Sequence, residues 1–361
     1  MLLASGRFAR YFGLSILLCV LPGIVTAANH CVVLQYHHFS DTTPAVTSVS
    51  PTLFQAHLDY LRDNDYQVLP LEQVVTRLAR DQALPDRCVS LSVDDAYDSV
   101  YREAFPRVLA LGWPLTVFVN TQGVDAGVDA YMTWEQMREM ARAGVRFENH
   151  SHSHDHLVRR RPGESEAAWR KRVRADVQLA QRRIHEELGQ EARLFAYPYG
   201  EYDPGVQSIV RDLGLTGFGQ QSGPAWAGGD FTALPRFPMA AAYAEMESFR
   251  SKVASLPLPL VEALPRDPVV PLDEWRPVLH LTLQPGSYQP GLLRCYANGS
   301  PDVSLSWDEN LPNRVSVRPA RPLSVGRNRY NCTMPSDETG RFHWYSHNWL
   351  RRNADGSWYR E

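Results

Sequence analysis

The chain has 361 residues, of which 44% are hydrophobic and 21% are charged, and its formal net charge is −3. This composition is typical of a soluble globular protein and excludes a fibrous or low-complexity chain, while the length exceeds one ordinary domain and predicts two. The slightly acidic balance gives no reason to expect a nucleic-acid partner, which would favour a basic surface.

Residues 1–28 have the pattern of a secretory signal. Arg7 and Arg10 precede an apolar run from Gly13 to Val25, and the small residues after it suit cleavage. A membrane anchor is the less favoured alternative, because a spanning helix needs about 20 apolar residues and this run is shorter. We therefore expect an exported protein, periplasmic or extracellular, that is not inserted in a membrane after cleavage.

Removal of the signal would also remove Cys19 and leave an even number of cysteines. They are Cys31, Cys88, Cys295 and Cys332. In an oxidising compartment two disulfides are one interpretation, and Cys31 and Cys88 would lie side by side if the strand-like runs that they begin were neighbours. Buried free thiols are the other interpretation, because a disulfide needs Cα atoms within about 7 Å.

Between Asn29 and about Ser255, short apolar runs alternate with helical patterns, which predicts βα units and a parallel sheet or barrel. The predicted strands are Cys31–Tyr36, Cys88–Val93, Leu115–Asn120, Arg146–Asn149, Leu194–Tyr197 and Gly217–Gln220. Helices are predicted around Phe54–Leu61 and Trp134–Met140, where apolar residues recur at helical spacing.

The longest predicted helix runs from about Glu164 to Leu188. Its apolar residues recur at intervals of three and four, and Gly189 is its predicted stop. The basic run Arg159–Arg161 before it is predicted to be a solvated loop, with contact to an acidic partner as the alternative.

A second, smaller domain is predicted after a proline-rich stretch. Prolines recur through residues 256–277 without periodicity, which predicts a semi-rigid linker. Residues 278–361 then read as an all-β domain, with strands predicted at Val278–Leu283, Leu292–Ala297, Val303–Trp307, Arg314–Arg318, Arg329–Thr333 and Phe342–Trp349. Cys295, Trp307 and the Tyr330-x-Cys332 pair resemble the framework of immunoglobulin-like sandwiches.

Two adjacent carboxylates, Asp94 and Asp95, follow the predicted strand Cys88–Val93. The carboxyl ends of parallel strands are where α/β folds place their sites. Neighbouring residues on an extended segment point opposite ways, so one carboxylate can bind a metal while the other reaches substrate or water. The alternative is that one aspartate caps the next helix and the other is solvated.

Four histidines lie within seven positions after another predicted strand. They are His150, His152, His154 and His156. A separation of four lets His150 and His154 face one point if the segment turns helically, and two histidines with one carboxylate are typical of a catalytic zinc site. His152 and His156 do not share that spacing, and a surface histidine run without ligands is the alternative for the whole cluster.

These motifs occur in an order that resembles a known family. Ser92 to Asp95, Asn149 to His154 and the Phe-Ala-Tyr-Pro-Tyr-Gly run of residues 195–200 resemble the NodB-like polysaccharide deacetylases, carbohydrate esterase family 4. The likeness covers about Val32 to Met239 and is closest to the poly-N-acetylglucosamine N-deacetylase branch, which opens with a Tyr-His pair like Tyr36-His37. It implies a distorted (β/α) barrel as the deacetylase domain, residues 29–255.

The resemblance implies a hydrolase of linear amide C–N bonds that removes N-acetyl groups from N-acetylhexosamine units. The polysaccharide substrate would be a poly-N-acetylglucosamine-like biofilm exopolysaccharide or a cell-wall glycan. The implied metal ligands are Asp95, His150 and His154, and the implied ion is Zn²⁺, with Co²⁺ or Ni²⁺ as alternatives.

The resemblance also implies the catalytic roles. Asp94 would be the general base, and the backbone N–H of Tyr199 would stabilise the oxyanion. His37 would protonate the leaving amine, although the adjacent His38 is an alternative. Arg236 would pair with Asp94 and hold down the pKa of that carboxyl group.

Two residues depart from the family pattern. Ala96 stands where members usually have glycine, and its Cβ disfavours a positive φ beside the metal site. Ala196 stands where many members have an arginine, a departure that the branch resembled shares. Ala96 supports an alternative function, a catalytically impaired glycan-binding protein on the same fold.

Overall fold

The computed structural model describes residues 27–286 and 289–360. Apart from Ala27 and Ala28, the predicted signal lies outside the described residues. No helix within these ranges is long and apolar enough to cross a membrane.

Six parallel strands form the centre of the nine-stranded sheet of the first domain. They are β1 (His30–Tyr36), β2 (Cys88–Asp94), β3 (Thr116–Val119), β4 (Arg146–Asn149), β5 (Leu194–Ala196) and β6 (Thr216–Phe218). Each pairs with its neighbour along the chain, in the order β6-β5-β4-β3-β2-β1. β1 and β2 are buried along their whole length, as expected for a parallel sheet covered on both faces.

The segment from Leu234 to Pro238 connects the two edges of this sheet. Leu234 forms a parallel bridge with Phe218 of β6, and Phe237–Pro238 pairs in parallel with β1. The sheet is therefore curled into a distorted barrel, and Arg236 lies in the closing segment.

Helices cover the barrel, and some of them begin or end at capping residues that the sequence carries. In the described ranges they are α1 (Pro51–Asp63), α2 (Leu71–Ala79), α3 (Phe105–Ala110), α4 (Thr121–Asp125), α5 (Trp134–Arg142), α6 (Glu166–Leu188), α7 (Pro204–Asp212) and α8 (Met246–Val253). Ser50 caps α1, Thr133 and Gln136 form a capping box at α5, and Gly189 ends α6 with φ 64°.

Two four-stranded sheets form the second domain. Their strands are β7 (Leu256–Pro257), β8 (Leu260–Leu264), β9 (Leu279–Leu283), β10 (Arg294–Ala297), β11 (Val303–Trp307), β12 (Arg314–Pro319), β13 (Gly326–Pro335) and β14 (Phe342–Arg351). One sheet has the order β7-β14-β13-β10 and the other β8-β9-β12-β11. Leu281, Val317, Tyr330 and Trp349 lie in the buried core of this domain, which is all-β as predicted.

The segment predicted to be a linker, residues 256–277, contains two of these strands. β7 pairs with β14, and β8 pairs with β9. Both occupy sheet edges, where proline is tolerated because no second neighbour needs its missing N–H. Residues 256–264 are therefore part of the sandwich rather than a spacer.

Both disulfides form, Cys31–Cys88 and Cys295–Cys332. Cys31 and Cys88 lie on the adjacent strands β1 and β2, as expected. Cys295 and Cys332 lie opposite each other on β10 and β13, within one sheet. The expected likeness to the immunoglobulin framework is wrong at this point, because that framework joins two sheets.

Candidate metal centre and active site

The predicted site residues meet at the carboxyl ends of the barrel strands. Asp94 ends β2, His37 follows β1, His150 follows β4, and Tyr199 lies in the 3₁₀ turn Pro198–Gly200 after β5. Parallel strands bring these positions to one edge of the sheet, although they are far apart in the sequence.

Asp95, His150 and His154 place three ligand atoms within 4.8 Å of one another. The Oδ1 atom of Asp95 lies 3.3 Å from Nε2 of His150 and 3.1 Å from Nε2 of His154. Within the described ranges this buried Oδ1 has no hydrogen-bond partner. A buried carboxylate oxygen without a donor, facing two imidazole nitrogens, fits a divalent cation.

The orientation of His150 suits a metal ligand. Its Nδ1 atom lies 2.8 Å from the backbone oxygen of Ala196. Because a carbonyl oxygen only accepts, Nδ1 carries the proton and Nε2 is directed at Asp95. Burial lowers the pKa of His150, but its contact with Asp95 and the negative charges of Asp94 and Asp95 outweigh this effect and raise it.

The histidine loop is not helical, so the predicted helical turn does not account for the meeting of His150 and His154. Ser151 and His154 have φ values of 64° and 55°, and these two left-handed residues bring His150 and His154 together. The Asp176 carboxylate accepts hydrogen bonds from the N–H groups of His152 and Ser153, each at 3.1 Å. Ser151 Oγ accepts a third from the N–H of His154 at 3.0 Å.

His152 and His156 lie outside the candidate group of Asp95, His150 and His154. His152 Nδ1 is 2.8 Å from the hydroxyl of Thr121, and His156 Nδ1 is 2.8 Å from Oε2 of Glu201. Each of these two histidines therefore has a hydrogen-bond partner away from Asp95.

Asp94 is fully buried and its carboxylate accepts three hydrogen bonds. Arg236 donates from Nη1 to Oδ1 at 2.6 Å and from Nη2 to Oδ2 at 2.8 Å, and Gln35 Nε2 donates to Oδ2 at 2.6 Å. Burial raises the pKa of Asp94, but the guanidinium charge and its hydrogen bonds outweigh burial, so the pKa is lowered. Asp94 is consequently a carboxylate at neutral pH.

The two candidate acids have different surroundings. Burial lowers the pKa of His37, while the charges of Asp94 and Asp95 act in the opposite direction, which puts its ring within electrostatic reach of both carboxylates. His38 instead stacks on Tyr97, with ring centroids 3.6 Å apart, and of the two carboxylates only Asp95 affects its pKa. Of the two rings, His37 is the one affected by the charges of both carboxylates.

Ala96 adopts the conformation that glycine would favour. It is fully buried with φ 57°, and its carbonyl accepts a hydrogen bond from the N–H of Met132 at 2.9 Å. The left-handed conformation costs a non-glycine residue roughly 1–2 kcal/mol. The methyl group therefore adds strain beside Asp95 without preventing the turn.

Sequence reasoning missed three residues that organise the site, Gln35, Asp176 and Glu201. Gln35 contacts Asp94, Asp176 holds the histidine loop, and Glu201 contacts His156. The sequence signal for Gln35 was a polar residue within the apolar run of β1. The signal for Glu201 was its position directly after the Pro198–Gly200 turn. Their partners are distant in the sequence, so no spacing pattern identifies them.

Two histidines and one carboxylate that could hold a divalent ion, beside a second carboxylate paired with arginine, are side chains that a metal-dependent hydrolase could use. Residues 81–218 match the family described as polysaccharide deacetylase. The chain therefore carries a polysaccharide deacetylase domain.

Relatives of known structure support this assignment. IcaB from Ammonifex degensii is 26% identical with a TM-score of 0.54, over 63% of this chain and 97% of that chain. The Streptococcus pyogenes deacetylase PplD, solved in complex with acetate, is 25% identical with a TM-score of 0.55, over 63% of this chain and 99% of that chain.

Curated relatives match over a shorter part of their length. The poly-beta-1,6-N-acetyl-D-glucosamine N-deacetylase of Escherichia coli K12 is 24% identical over 225 residues, which is 53% of this chain and 34% of that protein. Across the first curated relatives the match spans between 34% and 59% of their own length.

Proposed function

We propose that this protein is a metal-dependent hydrolase that removes N-acetyl groups from N-acetylhexosamine units of a polysaccharide. A poly-N-acetylglucosamine-like exopolysaccharide or a cell-wall glycan is the proposed substrate. One observation carries the proposal, the contrast between two adjacent buried carboxylates. Asp95 presents an oxygen without a donor to two imidazole nitrogens, whereas Asp94 is held by three donors.

Asp95, His150 and His154 are the proposed ligands of a divalent ion. We propose Zn²⁺, because two imidazoles and one carboxylate with an open position are typical of catalytic zinc, and Co²⁺ or Ni²⁺ would suit the same donors. When bound, such an ion supplies a Lewis acid that lowers the pKa of water from about 15.7 towards 7.

Asp94 is the proposed general base, which accepts the proton of the attacking water. Its lowered pKa keeps it ionised at neutral pH, and Arg236 and Gln35 fix the direction of its carboxylate. A positioned base typically contributes roughly 10²–10⁴-fold to the rate.

Two further groups are proposed to act on the other atoms of the amide. His37 would donate a proton to the amine as it leaves, because it follows β1 and the charges of both carboxylates act on its ring. The backbone N–H of Tyr199 would stabilise the oxyanion, and the turn that directs this N–H holds Tyr199 at φ 60°.

Export to the periplasm or the cell exterior is part of the proposal. Two disulfides suit an oxidising compartment, and the proposed polysaccharide lies outside the cytoplasm. The alternative of a glycan-binding protein without activity has less support, because binding alone needs no buried Asp94–Arg236 pair beside the metal ligands.

The proposal is tested by acetate release from N-acetylated β-1,6-linked glucosamine oligomers, chitin oligomers and peptidoglycan. We expect release with added Zn²⁺, loss of release with a chelator, and recovery when Zn²⁺, Co²⁺ or Ni²⁺ is restored. His154→Ala should lose both metal binding and release, whereas His152→Ala, from the same loop, should keep both. No acetate from the wild type with any substrate and ion would refute the proposed function.

A further inference from the structure

A second polar cluster lies beside the site, where the sandwich meets the barrel. Its centre is Glu201, whose side chain is almost completely buried directly after the turn that contains Tyr199. Its carboxylate lies 2.8 Å from His156 Nδ1 and 3.6 Å from Arg327 Nη1, and it accepts a hydrogen bond from the Tyr359 hydroxyl. Burial raises the pKa of Glu201, but its hydrogen bonds with His156 and Tyr359 and the charges of His156 and Arg159 outweigh burial and lower the pKa.

Two of these partners come from the second domain. Arg327 lies in β13, and Tyr359 lies in the segment that follows β14. Along β13, Tyr330 and Cys332 are buried in the sandwich core, while Arg329 reaches Ser222 of the barrel at 3.3 Å. Because side chains alternate along a strand, Arg327 and Arg329 share the face of the sheet that lies against the barrel.

Arg159 links the C-terminal segment to Glu201. Its guanidinium carbon lies 4.6 Å from the centre of the Tyr359 ring, and its Nη1 donates to the Tyr359 carbonyl at 2.9 Å. Its Nη2 is also 3.5 Å from Glu201. The prediction of a solvated loop at Arg159–Arg161 is therefore wrong for Arg159, which the C-terminal segment covers.

The cluster also contacts the ring of Tyr199. His156 stacks on this ring with centroids 3.9 Å apart, and the guanidinium carbon of Arg327 lies 5.4 Å from its centre. The ring of His154, a proposed metal ligand, meets the same Tyr199 ring at 4.7 Å. Arg327 thus contacts both Glu201 and Tyr199, the residues on either side of Gly200.

We infer that Arg327 is a positioning residue of the active site, supplied by the sandwich domain. It holds the Pro198–Gly200 turn through Glu201 on one side and the Tyr199 ring on the other, and so fixes the direction of the Tyr199 N–H. The inference rests on the proposed function, which assigns that N–H to the oxyanion. On this view the sandwich completes the deacetylase site.

The test compares three variants in the full chain. Arg327→Met removes the charge and the planar group but keeps the length, Arg327→Lys keeps the charge, and Arg318→Met makes the same change at an exposed arginine of β12. For each we would measure kcat and KM for acetate release from a β-1,6-linked N-acetylglucosamine oligomer, Zn²⁺ affinity by calorimetry, and the melting temperature.

Arg327→Met should lower kcat roughly 10- to 100-fold, since a misplacement of about 1 Å can cost about 10²-fold. KM and Zn²⁺ affinity should stay within about twofold, because only interactions of the transition state are lost. Arg327→Lys should recover part of kcat, and Arg318→Met should match the wild type. A raised KM with unchanged kcat would show a substrate contact instead, and an unchanged kcat would overturn the inference.

A measurement without substrate separates this inference from the proposed function. In protein labelled with ¹⁵N-tyrosine, the amide signal of Tyr199 should shift in Arg327→Met and stay in place in Arg318→Met. If the wild type releases no acetate, the proposed function fails, and the Tyr199 signal still decides whether Arg327 positions the turn. An unmoved Tyr199 signal would refute the positioning role.

Discussion

The site edge of the barrel and the sandwich domain differ in how their residues are held. In the described ranges nine non-glycine residues have positive φ, and five lie at the site: Asp95, Ala96, Ser151, His154 and Tyr199. The described part of the sandwich has one, Asn298, in a turn where asparagine tolerates that conformation. Strained backbone is thus concentrated where the candidate chemistry lies.

The two regions also bury different side chains. At the site edge Asp94 and Arg236 are fully buried as an ion pair, whereas the sandwich core contains Leu281, Val317 and Trp349. Strain and buried charge persist only where surrounding contacts hold them in place. Substitutions at the site edge should therefore affect activity or the buried pair, and substitutions in the sandwich core should affect stability alone.

The largest expected effect is on activity at the site edge. Asp94→Asn removes the proposed base and should lower kcat by roughly 10²–10⁴-fold, while Zn²⁺ binding by calorimetry remains. Circular dichroism would check the fold, because the substitution also leaves Arg236 beside a neutral partner. Retention of more than about a tenth of the wild-type kcat would contradict the assignment of Asp94 as base.

The next effect is on the stability of the same region. Arg236→Met leaves Asp94 buried without its guanidinium, which should cost about 3–5 kcal/mol in urea unfolding. The double variant Asp94→Asn/Arg236→Met removes both charges and should regain much of that loss. If the single and double variants unfold at the same urea concentration, the two charges are not coupled.

A comparable loss of stability without loss of activity is expected from the sandwich. Cys295→Ser/Cys332→Ser opens a disulfide with a sequence separation of 37, and should cost about 2–4 kcal/mol. The kcat of the folded protein should stay within about twofold, because this bridge lies in the buried core of the sandwich. Cys31→Ser/Cys88→Ser, which opens the barrel bridge, is the matched control. A lower kcat in Cys295→Ser/Cys332→Ser, but not in Cys31→Ser/Cys88→Ser, would contradict the expectation that the sandwich core affects stability alone.

The smallest expected effect concerns Ala96. Ala96→Gly removes the Cβ from a left-handed residue and should raise the free energy of unfolding by up to about 1 kcal/mol, because the backbone strain is relieved. Glycine also increases the conformational entropy of the unfolded chain, which offsets part of this gain. Thermal unfolding and acetate release would be measured together. An increase in kcat of more than about tenfold at unchanged KM would show that Ala96 impairs activity.

Arg327 is an exception to this contrast between activity at the site edge and stability in the sandwich. It belongs to a sandwich strand, yet it contacts Glu201 and Tyr199 at the site edge. The variants proposed above therefore test whether the second domain contributes to catalysis as well as to stability.

The sequence by itself determined the elements that depend on local patterns. The six barrel strands and the end of α6 at Gly189 follow from apolar periodicity and from a glycine stop, which act within a few positions. The order of the motifs also selected Asp95, His150 and His154 as candidate ligands, a prediction that metal analysis has still to test.

Only the tertiary structure decided how distant residues meet. Arg236 is 142 positions from Asp94, and Tyr359 is 158 positions from Glu201. The pairing of β7 and β8 at sheet edges and of Cys295 with Cys332 within one sheet depends on strand register. Periodicity specifies which face of an element is buried, but not which neighbour it meets, so these contacts emerge only when the sheets close and the domains pack together.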